Sequence, residues 1–133
     1  MLKLPRKTVL DFLDLTAGKY DYWLLHLTSQ NFDSHQLTVY QTFSLQLIKR
    51  LTIECNLPVE TLKSFGLDEL LDTIAEPQFI HRRLAQENQY LVVDFYLGCV
   101  HLLGESKTQN HTHSGPVLDL RQEWKQFDRS VFF

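Results

Sequence analysis

The chain has 133 residues, enough for one domain that buries roughly two-thirds of its extended-chain surface. With 44% hydrophobic and 22% charged residues, it stands well away from the composition of disordered chains. Its formal charge of −3, from 13 basic and 16 acidic side chains, excludes a global attraction to phosphate backbones or anionic lipid, so a nucleic-acid role needs a local basic patch.

Residues 1–7 carry Lys3, Arg6 and Lys7 without an acid, but Asp11 and Asp14 then interrupt the apolar residues and no small-residue cleavage site follows, so no secretory leader is expected. Thr8 as an N-cap predicts a short helix through Val9, Leu10, Phe12, Leu13 and Leu15, closed near Gly18. A second short amphipathic helix is predicted over 20–29, where Tyr20, Trp23, Leu24 and Leu27 share a face. Tyr20, Tyr22 and Trp23 could stack on bases, yet their charged neighbours are Asp21 and Lys19 alone, which favours core packing.

Residues 31–34 (NFDS) have turn and cap chemistry, and from His35 the apolar positions Leu37, Tyr40, Phe43, Leu47, Ile48, Leu51 and Cys55 continue at helical spacing to Pro58. The opposite face, with Gln36, Gln41, Gln46, Lys49 and Arg50, reads as solvated. Residues 58–76 predict two short helical pieces separated at Gly66. They hold Glu60, Asp68, Glu69, Asp72 and Glu76 against Lys63, an acidic sector that is either a solvated face or a docking surface for a basic partner segment. The densest basic spot, His81, Arg82 and Arg83, follows directly and could pair with it.

The most continuously apolar run, 90–103 (YLVVDFYLGCVHLL), predicts a central helix extending back through Leu84 to Pro77. Its 14 residues, with Asp94 among them, fall short of the roughly 17 to 25 that cross a bilayer. On a helix, Glu87, Asp94, Gly98, His101 and Glu105 form one polar line, with Asp94 and His101 two turns or about 10 Å apart. A ligand site at Asp94, Gly98 and His101 is one reading of that line. The other is a strip where the helix meets solvent, or where Gly98 admits a close neighbour.

Residues 105–116 (ESKTQNHTHSGP) lose all apolar pattern and predict a flexible polar linker. His111 and His113 offer two metal-type ligands without a third, so no metal site is expected. Beyond the linker, Val117, Leu120, Trp124, Phe127 and Val131 form a seam on a last helix, followed by Phe132 and Phe133. A tethered helix of that kind suits a partner groove, another copy of the chain, or its own core.

Cys55 and Cys99 lie in apolar patterns without zinc spacing, as expected of buried thiols in a reducing compartment. Nucleotide-binding, metalloprotease, hydrolase and EF-hand motifs are all missing from the sequence, and no cofactor is expected.

Together these features predict an all-α bundle of five to six helices over 1–104, a linker over 105–116 and a C-terminal amphipathic helix over 117–133. The function expected first is a non-catalytic, cytoplasmic interaction, adaptor or assembly protein without membrane contact. Its partner surfaces would be Glu60, Asp68, Glu69 and Asp72, and Leu120, Trp124, Phe127, Val131, Phe132 and Phe133, with homo-oligomers formed through the last helix. The second is a helical subunit of a nucleoprotein complex, with Lys49, Arg50, Arg82 and Arg83 in one patch. The third is a small-molecule or metal site around Asp94 and His101.

Overall fold

Residues 2–108 and 114–132 are described by a computed structural model; His111, His113, Phe133 and the side chain of Phe132 lie outside that description. The expected all-α bundle is not what forms. The architecture is mixed α/β, with helices and two small antiparallel sheets.

The first residues form strand β1 (Lys3–Pro5), and helix α1 (Arg6–Leu13) starts directly after Pro5, whose ring fixes φ at −63°. Thr8 is therefore inside α1 and not its cap. The chain leaves α1 at Asp14, which holds a left-handed φ of 54°. Helix α2 (Ala17–Leu27) begins with Thr16, whose hydroxyl accepts from the Lys19 N–H, so Gly18 sits in a first turn where a helix end was expected.

Strand β2 (Gln36–Thr38) pairs with β1, setting Leu4 opposite Leu37. Helix α3 (Val39–Lys49) opens with a full capping box between Thr38 and Gln41 and continues into a π-helical turn, Arg50–Glu54. This helix occupies the centre that the sequence suggested for 84–103. Val39, Phe43, Leu45, Leu47 and Ile48 are all buried, and so are Thr42 and Ser44, whose hydroxyls donate to the carbonyls of Thr38 and Tyr40. Helices α4 (Val59–Ser64) and α5 (Leu67–Ile74) follow, joined through Gly66 at φ 85°. A π-helical turn, Phe79–Arg83, and the short α6 (Leu84–Gln86) lead to the second sheet.

The expected central helix is a β-hairpin. Strands β3 (Gln89–Asp94) and β4 (Cys99–Gly104) pair antiparallel, with Leu91 opposite Leu102 and Val93 opposite Val100. After α7 (Glu105–Thr108), strand β5 (Val117–Asp119) pairs on the other side of β3, giving the order β4-β3-β5. The long apolar run misled the helical expectation because β3 is a middle strand. Leu91 and Val93 face the helical core while Val92 is buried on the other side, so the usual apolar–polar alternation is erased.

Helix α8 (Leu120–Phe132) starts at Asp119, whose carboxylate accepts from the Gln122 N–H, and packs on α3 and α1. Leu120 and Phe127 are buried. The Phe127 ring stands edge-on to Phe12 at 5.4 Å, and Trp124 stands edge-on to Phe43 at 5.1 Å. β5 and α8 thus share the sheet and the core of the residues before the predicted linker. No helix among the described residues is long and apolar enough to cross a membrane.

Candidate functional site

Two apolar strands meet at residues 95–98, and the hairpin turn there carries three consecutive large apolar side chains that the fold leaves exposed. Phe95 is 45%, Tyr96 92% and Leu97 65% exposed. Gly98 takes a φ of 70° and its N–H donates to the Asp94 carbonyl at 2.9 Å, closing the turn.

Asp94 fixes this turn from inside. Only 3% exposed, its Oδ1 accepts from the N–H groups of Tyr96 and Leu97, both at 3.0 Å, and from the Ser114 hydroxyl at 2.9 Å. The Leu97 amide does most to hold the carboxyl below its ordinary pKa; burial opposes this, and Ser114, Tyr96 and His101 add to the lowering. The segment after 113 braces the turn from the side. Val93 N–H donates to the Pro116 carbonyl at 2.9 Å, and Gly115 lies so close that a Cβ there would stand 2.3 Å from the Val93 carbonyl oxygen and 2.8 Å from the Phe95 ring. The Phe95 ring also meets Phe65 edge-on at 5.9 Å.

The expected polar line is correspondingly rearranged. Asp94 and His101, about 10 Å apart on a helix, lie across the hairpin with Asp94 Oδ2 at 3.9 Å from His101 Nε2. Gly98 serves the turn, with open space where a side chain would stand. Glu87 lies elsewhere, its carboxylate accepting from the Ser106 N–H and hydroxyl. Oriented toward backbone amides, Asp94 works as a brace. Among the described residues no His, Cys, Asp and Glu cluster is arranged to hold a metal ion.

Of the basic residues expected in one patch, Lys49 and Arg50 are tied into the fold. Lys49 Nζ donates to the Leu13 carbonyl at 2.6 Å, and Arg50 bridges Glu54 and the buried Glu123, the latter at 3.0 Å. Arg82 and Arg83 are exposed on the π-helical turn, Arg83 over the Phe79 ring. Of the acidic sector, Glu60 and Glu69 are exposed and Asp68 is half-buried; Asp72 accepts from the Ser29 hydroxyl at 2.6 Å. In the C-terminal seam, Leu120 and Phe127 are buried, and Trp124 and Val131 are partly buried against the core. Cys55 and Cys99 are free thiols, both half-buried.

Sequence reasoning missed Phe95, Tyr96 and Leu97 because it placed them inside a buried helix. The available signal was an Asp and a Gly four residues apart between two short runs rich in Val and Leu, which is turn chemistry between strands. Compared with known protein families, with curated proteins and with solved structures, the chain matches none.

Proposed function

We propose that this protein is a non-catalytic interaction module of the adaptor or assembly type, and that its hairpin tip seats in an apolar pocket of a partner protein. One observation carries the reading: Phe95, Tyr96 and Leu97 are exposed on a turn whose backbone is pinned by Asp94 and Ser114. A fully exposed side chain of this kind is worth on the order of 2 kcal/mol when it leaves water, and Tyr96 is the most exposed of the three. A pinned turn loses little further freedom on docking, so most of that free energy goes into affinity. Rigid aromatic anchors on a braced turn are how recognition loops achieve tight binding. The partner surface is a protein and not an anionic membrane, because no Lys or Arg occurs anywhere in residues 84–106 to meet lipid phosphates.

A photo-crosslinking amino acid placed at Tyr96 in the cells that encode the protein tests this. The expected result is one discrete adduct, missing when the same group is placed at exposed Lys125. The partner so identified, once purified, should bind the native chain and lose about tenfold or more in affinity for Tyr96→Ser with Leu97→Ser. Equal affinity for the double variant overturns the reading, as does binding of the native chain to anionic vesicles without any protein partner.

A further inference from the structure

A second surface lies where α2 meets the segment before α4. There an open groove of about 630 Å³ is walled by Lys19, Tyr22, Trp23, Ile53, Leu57 and Val59. Tyr22 and Ile53 are exposed, and Leu25, one turn beyond Tyr22 on α2, is exposed further still. The apolar surface therefore runs out of the groove and along the helix.

Carboxylates lie beside it on the neighbouring helices α4 and α5. Glu60 accepts from the Tyr22 hydroxyl at 3.3 Å and so stands on the rim itself; its charge is the main reason the Tyr22 hydroxyl titrates above its ordinary range. Helix α5, which packs on both α2 and α4, brings Asp68, Glu69 and Asp72, and Asp72 is tied to Ser29 just past the C-terminal end of α2. Of the basic residues on α4 and α5 only Lys63 opposes them.

We infer that this groove binds an amphipathic helix from a partner protein, with apolar side chains against Tyr22, Ile53 and Val59 and Lys or Arg residues facing Glu60 and the α5 carboxylates. Charge complementarity selects the basic partner. The helical form follows from the groove walls, which are side chains of helices and a turn with no strand edge. An incoming backbone finds no ladder there and must satisfy its own N–H and C=O groups. This inference is independent of the hairpin tip.

The test uses isotopically labelled full-length protein and a designed helical peptide of about 16 residues, or about 24 Å, with Leu on one face and Lys on the others. A matched peptide carries Glu for Lys. The expected result is amide shifts confined to Tyr22, Trp23, Ile53, Val59 and Glu60, with the Glu peptide about tenfold or more weaker. Glu60→Lys together with Glu69→Lys should reverse the order of the two peptides. Ile53→Asp should abolish binding while α3 and β3 amides stay in place, and Tyr96→Ser should change nothing. Shifts centred elsewhere, equal affinity for the two peptides, or no binding at millimolar peptide each overturn the inference.

Discussion

Phe95, Tyr96 and Leu97 on the hairpin and Leu120, Trp124 and Phe127 on α8 are equally apolar, yet one set projects into water and the other is packed away. The difference lies in what stands opposite. α8 meets the rings of Phe12, Phe43 and Tyr40, with Trp124 stacked on Tyr40 at 5.8 Å, and its one buried charge, Glu123, is met by Arg50. At the hairpin turn only Phe95 meets a ring from the helices, that of Phe65, while Tyr96 and Leu97 stay outside, and the polar backbone is satisfied from within by Asp94. Apolar character drives burial only where the fold supplies a complementary face; an apolar set left outside by a rigid turn is available to another molecule.

The sharpest way to break that contrast is to truncate one ring in each set. Phe127→Ala should cost about 3 to 5 kcal/mol of unfolding free energy in denaturant titration, since it empties a fully packed position. Tyr96→Ala should stay within about 0.5 kcal/mol of the native chain. Equal losses would mean that the turn is also core. Next in size is Gly115→Ala, which forces a methyl against the Val93 carbonyl and the Phe95 ring. A loss of about 1 to 3 kcal/mol is expected, with faster amide exchange at Tyr96 and Leu97; unchanged exchange would show that the side brace is dispensable.

Glu123→Gln removes the charge that α8 gives to Arg50. A loss of about 1 to 2 kcal/mol in thermal melting is expected, with Arg50 retaining Glu54. No loss would show that α8 docks without this ion pair.

The smallest effect is local and depends on pH. Because the folded Asp94 carboxyl titrates below its ordinary value of 3.8, its stabilisation of the turn is complete above about pH 4. It is lost as the pH falls through the lowered folded value. Amide exchange at Tyr96 and Leu97, corrected for the intrinsic pH dependence of exchange, should therefore lose protection on acidification in the native chain. Asp94→Asn should lack that acid step. An identical acid step in the variant would assign the titration to another group.

The sequence alone determined a good part of the helical layout. Two short acidic helices separated at Gly66, a long apolar-faced helix ending before Pro58 and an amphipathic C-terminal helix all follow from spacing, caps and breakers, because those signals are local. The candidate site was legible in part. Asp94, Gly98 and His101 were singled out as the polar positions within an apolar run, although the roles of Asp94 and Gly98 as turn brace and turn residue belong to a hairpin and not to a helix face. Tertiary structure alone decided the rest. Residues 90–103 become a hairpin because β3 is completed by β5, residues 117–119, and a strand takes its hydrogen bonds from such distant neighbours where a helix takes them from its own turn. The same distant pairing delivers Ser114 and Pro116 to the tip and starts α8 where Phe12 and Phe43 can receive it, so which aromatic residues face water was settled by contacts that no local pattern records.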